Sequence, residues 1–141
     1  DHAPAKLGWI DLDHTSGLRE VATLGFGYLP ERPLWVGPDR PLALTSFGKN
    51  ASEVALVNYR SGEILQVYRE HSSFVYGCCA IPEHRLAVSS AAQDSLRVWR
   101  LSTGETIWKL PTSGLGYFSH LTWSSKHGCL LGLMRSRSGG E

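Results

Sequence analysis

The sequence Leu-Ala-Val-Ser-Ser-Ala-Ala-Gln-Asp-Ser-Leu-Arg-Val-Trp-Arg-Leu-Ser-Thr-Gly-Glu-Thr-Ile-Trp-Lys-Leu, residues 86–110, decides the fold of this chain. It holds three short runs of β-prone side chains, and the middle run alternates in size and polarity as a half-buried strand does. Two polar turns separate them, and the Gly in the second turn can adopt the positive φ that tight hairpins need. The stretch therefore predicts a meander of three antiparallel strands. They are Leu86–Ser89, Leu96–Trp99 and Ile107–Leu110, with turns at Ala91–Ser95 and Ser102–Glu105.

The turns of this stretch recur elsewhere in the chain at a nearly constant spacing. Gly62 and Gly104 end equivalent turns 42 residues apart, and Gly17 precedes Gly62 by 45 residues. Pro38 and Pro82, each followed by an acidic residue, lie 44 residues apart. Landmarks that repeat in the same order every ~40–45 residues indicate a repeat protein whose units are small β-sheets.

Short β-prone runs separated by polar turns continue along the remaining chain. No stretch combines helical spacing of apolar residues with capping signals, so no helix is expected. Pro33 places the strand that follows it at the edge or start of a sheet. The further predicted strands are Leu7–Leu12, Leu18–Leu24, Leu34–Val36, Leu42–Ser46, Glu53–Asn58, Ile64–Tyr68, Phe74–Ala80, Phe118–Trp123 and Cys129–Met134.

Composition excludes several classes of protein. The 141 residues carry a net charge of +1, which gives no basis for phosphate-dominated binding of nucleic acid. No apolar run is long enough to insert into a membrane as a helix. The odd number of cysteines, with Cys78 and Cys79 adjacent and therefore facing opposite sides of a strand, argues against a disulfide framework. Free buried thiols favour an intracellular protein, cytoplasmic or nuclear.

The stretch at residues 86–110 resembles the second half of a WD40 repeat. Val98-Trp99 and Thr103-Gly104-Glu105 match that family's strand and turn, whereas Arg100 stands where the family usually has Asp. The resemblance implies an all-β propeller segment of about three antiparallel four-stranded blades: two full repeats and flanking half-repeats. The implied units are a partial blade over 1–24, WD40-like repeats over 25–68 and 69–110, a partial blade over 111–134 and a flexible tail over 135–141.

A ring of ~4–8 blades cannot be built from this content, so we expect a segment of a longer protein or a truncated isoform. The segment is expected to be completed by further blades of a longer chain or by association, because open blade edges invite pairing.

The WD40 resemblance also implies a buried hydrogen-bonded set in the repeat at 69–110. The matching residues are His71, Ser89 or Ser90, Asp94 and Trp99. Gln93 competes with Asp94 for the turn position, because this turn carries an insertion. In the preceding repeat Tyr59 is the nearest aromatic residue to the Trp position. Such a set is structural, since a satisfied polar network specifies one packing of the blade.

The sequence shows no enzymatic signature. It contains no Gly-x-Ser-x-Gly, His-Glu-x-x-His or phosphate-binding loop pattern, and its serines lack a His and an Asp at a diagnostic spacing. The six histidines are scattered along the chain, so neither a metal site nor a cofactor is expected. One alternative remains: Thr103–Trp108 also resembles the repeats of quinoprotein-type propellers, some of which bind pyrroloquinoline quinone and oxidise alcohols while others only scaffold assemblies.

The function implied by the WD40 resemblance is a scaffold for protein–protein interaction with no catalysis of its own. Its partners would be other proteins, bound through turns held on rigid strands. Most of the five tryptophans are expected to pack between blades rather than to form a recognition surface. The candidate partner-facing residues, in turns near the start of the first and second strands of a repeat, are Arg32, Arg40, His71 and Arg85.

Overall fold

The computed structural model describes residues 5–9, 19–24, 34–35, 42–47 and 52–136, which form twelve strands. The only helical element among these residues is a 3₁₀ turn at Pro82–His84, where the sequence predicts a Pro-acidic turn. The strands are β1 (Ala5–Trp9), β2 (Arg19–Leu24), β3 (Leu34–Trp35), β4 (Leu42–Phe47), β5 (Glu53–Asn58), β6 (Ile64–Tyr68), β7 (Val75–Ile81), β8 (Leu86–Ala91), β9 (Ser95–Arg100), β10 (Thr106–Pro111), β11 (Tyr117–Ser124) and β12 (Cys129–Arg135).

The strands form two four-stranded antiparallel sheets and two hairpins. One sheet has the order β3-β4-β5-β6 and the other β7-β8-β9-β10, so each is a meander of strands consecutive in the chain. The hairpins β1–β2 and β11–β12 are two-stranded sheets at either end of the described chain. This confirms the predicted fold class, an all-β segment with four-stranded antiparallel blades.

Equivalent turns connect the third and fourth strands of both blades. The amide of Gly62 donates to the carbonyl of Asn58, and the amide of Gly104 donates to that of Arg100, each at 2.8 Å. Both glycines have φ between +70° and +80°, a conformation that costs glycine nothing. The repeated turn sets the correspondence between the blades, and it places Val57, not Tyr59, at the position of Trp99.

Several predicted boundaries need correction. Ala91 ends β8 and Ser95 begins β9, and both are buried, so the turn between these strands comprises only residues 92–94. Strand β1 covers Ala5–Trp9 rather than beginning at Leu7, and Arg135 belongs to β12 rather than to a tail. The turn positions Gly17 and Pro38, and the tail after residue 136, lie outside the described residues.

The blade β7–β10 is packed on both of its faces. One cluster joins it to the preceding blade through Tyr68 and Trp99, among other buried residues. A second cluster joins its opposite face to the β11–β12 hairpin through Val88 and Leu121. Cys78 lies in the first cluster and Cys79 in the second, which confirms that adjacent cysteines face opposite sides of β7. A strand buried on both faces must be apolar throughout, which explains the composition of β7.

The two cysteines of β7 are free thiols held in apolar surroundings. Burial raises the pKa of Cys78 and of Cys79 to about 12. Because the thiolate is the reactive species, both thiols are inert at neutral pH. Their contribution is to packing.

Gly77 allows β11 to approach β7 closely. A Cβ atom at this position would lie 2.8 Å from the backbone carbonyl oxygen of Phe118, a distance that real Cβ atoms do not show. Because the obstacle is backbone, it cannot rotate away. The glycine therefore fixes the distance between the blade and the following hairpin.

Replacement of Gly77 by alanine is expected to lower the free energy of unfolding by about 1–3 kcal/mol, the usual cost of overpacking a close contact. Urea denaturation of the Gly77→Ala and wild-type chains measures the difference. Ser113→Ala, in an exposed turn, serves as the control. Equal stabilities for Gly77→Ala and wild type would contradict the close approach.

Candidate functional site

The site that the structure assembles is a buried group of side chains in the blade β7–β10. His71 lies in the loop before β7, Ser89 on β8, Asp94 in the turn between β8 and β9, and Trp99 on β9. Their side chains meet because the meander folds these four segments side by side. Ser89 and Trp99 are fully buried, and His71 is 6% exposed.

A continuous chain of hydrogen bonds links these four side chains. The Trp99 Nε1–H donates to Ser89 Oγ at 3.1 Å, and Ser89 Oγ lies 2.7 Å from His71 Nε2. On the other side of the imidazole, Nδ1 lies 2.8 Å from Asp94 Oδ2. Within this network of four side chains each polar atom that forms a link has a partner, which is the condition for burying such groups at low cost.

When the imidazole is neutral, the chemistry of the two ends fixes the direction of every bond in this network. Indole can only donate and an ionised carboxylate can only accept. His71 therefore carries its proton on Nδ1 and donates it to Asp94, while Nε2 accepts from the Ser89 hydroxyl. Ser89 in turn accepts from Trp99.

The pKa values of the two titratable members agree with this assignment. Burial lowers the pKa of His71, although the Asp94 carboxylate acts in the opposite direction. Burial acts to raise the pKa of Asp94, but hydrogen bonds from His71 and Arg97 outweigh it, so that the pKa is lowered. At neutral pH the imidazole is neutral and the carboxylate is charged.

The same group of residues holds the preceding blade. The rings of Tyr68, at the end of β6, and Trp99 stack in parallel with centroids 4.6 Å apart, and His71 meets the Tyr68 ring edge-on at 5.6 Å. The Tyr68 hydroxyl bonds Thr106 Oγ1 at 2.6 Å. The network thus joins one blade to the next as well as strands within one blade.

Arg97 and Ser95 supply further hydrogen bonds to Asp94, and Arg97 also balances its negative charge. Arg97 Nη2 donates to Asp94 Oδ1 at 3.2 Å, and Arg97 Nε donates to Ser95 Oγ at 2.8 Å. Ser95 also donates to Asp94, and Arg97 reaches Glu70 at 3.5 Å. Arg97 is the guanidinium partner that keeps the buried carboxylate charged.

Sequence reasoning missed Arg97, Ser95 and Tyr68. A signal for the first two was present, because residues 95, 97 and 99 share one face of a strand, so the alternation that buries Trp99 also buries them. Tyr68 had no local signal, since its partner lies on another blade. Its role follows only from the stacking of the sheets.

The structure distinguishes between the alternatives that the sequence left open. Asp94, not Gln93, lies in the network; Gln93 is exposed at the turn with a φ of +56°. Ser89, not Ser90, bonds the histidine and the tryptophan. Ser90 Oγ instead accepts the backbone N–H of Phe118 at 3.1 Å and so ties β8 to β11.

The serine, histidine and aspartate have the hydrogen-bond order of a hydrolytic triad, at positions where the WD40 resemblance implies a structural set. Their spacing along the chain matches no hydrolase motif. A nucleophile must reach its substrate, however, and Ser89 has no exposed surface. Its proton is bonded to His71 and its oxygen accepts from Trp99, so the arrangement is suited to structure and not to acyl transfer.

The candidate partner-facing residues fall into three groups. His71 is buried and bonded on both ring nitrogens, so the expectation that it contacts partners is wrong. Arg32 and Arg40 lie outside the described residues. Arg85 is exposed, with a φ of +53°, at the end of the 3₁₀ turn, where its carbonyl accepts the amide of Leu101.

The surroundings of Arg85 form a contact between the blade and the next hairpin. Trp123 of β11 donates its indole N–H to Glu83, and the ring of His84 meets Trp123 edge-on at 6.5 Å. We call residues 82–85 together with Trp123 the Arg85 surface. It places an exposed cation, a carboxylate and a tryptophan at one rim of the blades.

The described part of the chain offers no cluster of metal ligands and no membrane-spanning helix. Residues 5–9, 19–24, 34–35, 42–47 and 52–136 contain no group of three or more His, Cys, Asp and Glu side chains that could hold a metal ion. No helical segment within those residues reaches the length and hydropathy that a membrane span requires.

Comparison with known proteins identifies the fold. No family model matches the chain, and no curated protein matches its sequence. Among solved structures, the chain is similar to the WD40 β-propeller domain of Doa1, with a TM-score of 0.55 and 21% sequence identity. The similarity covers 65% of this chain and 29% of that structure, so the chain spans less than a third of that propeller's length. The fold of this chain is therefore that of a WD40-like β-propeller segment.

Removal of the central hydroxyl should expose how far the network stabilises the blade. Ser89→Ala leaves the Trp99 N–H and the His71 Nε2 buried without partners, so we expect a loss of about 1–3 kcal/mol in the free energy of unfolding. Ser102→Ala, in an exposed turn, should change it little. A double-mutant cycle with Asp94→Asn should show that the two losses are not additive, and strict additivity would argue against one connected network.

Acid should destabilise the chain through His71 and Asp94. Because burial lowers the folded-state pKa of His71, the unfolded chain binds more protons below its ordinary pKa of about 6.5, so stability falls as pH drops below that value. The lowered pKa of Asp94 adds a second loss once pH falls below its ordinary value of about 3.9. Urea midpoints at pH 7 and pH 5 should show a fall that is flattened in His71→Gln and retained in His127→Gln. An unchanged slope in His71→Gln would refute the assignment.

Proposed function

We propose that this chain acts as part of a WD40-like scaffold for protein–protein interaction and carries out no catalysis of its own. The observation that supports the proposal is where the reactive side chains of this chain lie. Those that meet, Ser89, His71 and Asp94, satisfy one another in the interior. What remains for partners is the surface of the turns, held on packed strands.

The partner-binding region that we propose is the Arg85 surface. Arg and Trp are enriched among residues that dominate binding energies, and both occur here beside an exposed turn. The indole of Trp123 is already oriented by Glu83, so little side-chain freedom is lost when a partner binds. The contact also joins two successive blades, which keeps the surface rigid. Arg32 and Arg40 remain further proposals of the same kind.

We further propose that the protein functions inside the cell. The free cysteines support this, because Cys78 and Cys79 are buried thiols and Cys129 is also unpaired. Proteins of reducing compartments commonly retain such residues. We also propose that the segment is completed by further blades, either of a longer chain or by association.

Affinity capture with the 141-residue chain tests the binding proposal. Arg85→Glu and Trp123→Ala should each reduce recovery of a defined partner by at least about tenfold, the effect of removing a residue worth ~1.4 kcal/mol. Lys109→Glu makes the same charge change on β10, away from the turns, and should retain the partner. Full recovery with both Arg85→Glu and Trp123→Ala would exclude this surface.

The alternative, a quinoprotein-type propeller, makes a different prediction. Such an enzyme would be purified with a chromophoric quinone and would depend on calcium. An absorbance spectrum of the purified protein above 300 nm tests this directly, since the side chains of the chain do not absorb there. A quinone band would overturn the scaffold proposal.

A further inference from the structure

The β11–β12 hairpin is an incomplete blade. Strand β12 pairs with β11 on one edge and with no other described strand on its second edge. Leu131 and Leu133 of β12 are 57% and 56% exposed. An apolar strand with an open edge is a template for pairing with another strand.

The register of this hairpin identifies which half of a blade it is. Ser124 pairs with Cys129 across a four-residue turn, as Ile81 pairs with Leu86 in the complete blade. Both hairpins also shift register at the same distance from that turn, between Phe118 and His120 in one and between Val75 and Gly77 in the other. Strands β11 and β12 therefore correspond to β7 and β8, and β12 lacks the strand that β9 supplies to β8.

The pairing of β1 with β2 resembles that of the third and fourth strands of a blade. Its outermost pairs, Ala5 with Leu24 and Trp9 with Arg19, join strands of five and six residues around one bulge. In β9 and β10, of six residues each, the outermost pairs Ser95 with Pro111 and Trp99 with Thr106 also enclose one bulge, and in both hairpins that bulge lies on the second strand, nearer the turn. In β7–β8 and β11–β12 the bulge lies on the first strand instead. The hairpin β1–β2 thus corresponds to a third and a fourth strand, and among the described strands it joins no first and second strand.

Strand β10, the outer strand of the complete blade β7–β10, shows where a neighbouring blade is missing. The equivalent turns at Gly62 and Gly104 align Tyr68 of β6 with Leu110 of β10. Tyr68 is 1% exposed because the next blade covers it with Trp99, whereas Leu110 is 40% exposed. Beside Leu110, Trp108 is half exposed as well. The uncovered area lies where third and fourth strands of a following blade would pack.

Resting on the proposed scaffold function, we propose that a second copy of this chain supplies those strands. The β1–β2 hairpin of one copy adds to the open edge of β12 in the other, forming the composite blade β11-β12-β1-β2. The reciprocal pairing forms a second composite blade. Two copies of the described strands then hold six four-stranded blades, within the ~4–8 of known propellers.

The described strands of one copy do not close a ring by themselves. The described strands of one chain make only three blades, fewer than the smallest propellers contain. Reciprocal addition around a two-fold axis completes both hairpins, so neither incomplete hairpin remains to bind a further copy. In this ring the next blade after each composite blade is β3–β6 of the second copy, and it covers the face that carries Leu131 and Leu133.

The correspondence of registers predicts the residues that meet between copies. Ser90 of β8 pairs with Leu96 of β9 in the complete blade. The equivalent positions are Leu133 of β12 and Lys6 of β1. These two residues should therefore lie opposite each other across the seam, in different copies.

The first measurement is the mass of the 141-residue chain in solution, by light scattering over a range of concentrations. We expect a dimer of about twice the 15.5 kDa of one chain. Leu133→Lys, which places a charge in the covered face, should weaken the dimer by at least about 100-fold. The matched control is Leu65→Lys, because Leu65 is similarly exposed on β6 and is the residue skipped by its register shift.

The second measurement is a cross-link between copies. Lys6→Cys and Leu133→Cys chains, both also carrying Cys129→Ser, are mixed and oxidised. Opposite residues of paired strands have Cβ atoms about 4.5–5.5 Å apart, close to disulfide range, so we expect a covalent heterodimer. Leu65→Cys paired with Leu133→Cys should give none. Circular dichroism of each variant separates loss of assembly from loss of folding.

The outcomes discriminate sharply. A dimer with the Lys6–Leu133 cross-link supports the composite blade. A monodisperse monomer, a dimer without that cross-link, or a series of open-ended polymers overturns it. A monomer that still captures a protein through the Arg85 surface would leave the scaffold proposal intact, whereas a cross-linked dimer that captures nothing would count against the scaffold alone.

Discussion

The stacked rings of Tyr68 and Trp99 are the contact on which the rest of the structure depends. A four-stranded sheet has two faces and no core of its own, so each blade must be finished by its neighbour. Here the tryptophan of one blade covers the tyrosine that ends the preceding blade, and the network of Ser89, His71 and Asp94 holds the indole in place. Burial of the Trp99 indole stabilises the contact between the blades, and the hydrogen bonds fix the orientation of the indole.

The polar side chains of this network are tolerated in the core because each of them has a hydrogen-bond partner. Burial of an isolated carboxylate in the interior would cost much free energy, but Asp94 accepts hydrogen bonds from His71, Ser95 and Arg97. A buried ion pair seldom adds much net stability over an apolar core, although removing one partner is costly. The network therefore specifies one arrangement of strands and turn, in the manner of satisfied polar networks generally. It also shows that a serine, a histidine and an aspartate in sequence do not make an active site when no surface reaches them.

The two ends of the described chain differ from its middle for the same physical reason. Tyr68 and Leu110 occupy corresponding positions, yet one is covered and the other is open, because only the first has a complete blade beside it. In a repeat architecture each unit contacts only its neighbours, so stability within the segment does not require the ring to be closed. In the functions that we propose, association belongs to the ends of the described chain and recognition of partners belongs to the turns.

The sequence by itself determined the strands and the type of sheet, because alternation, turn glycines and a constant period are local properties of the chain. It also named most of the buried network, since His71, Ser89, Asp94 and Trp99 stand at the positions that the WD40 resemblance implies. It left Ser89 against Ser90 and Asp94 against Gln93 open, because a one-residue difference in a turn decides which side chain faces the core. It placed His71 wrongly among the partner-facing residues, because a loop histidine looks exposed until the neighbouring strands are in place. Only the tertiary structure brought Tyr68 onto Trp99 and Arg97 onto Asp94. The stack joins residues from different blades, and the position of Asp94 depends on how the turn before β9 folds, so neither distance is encoded by spacing along the chain.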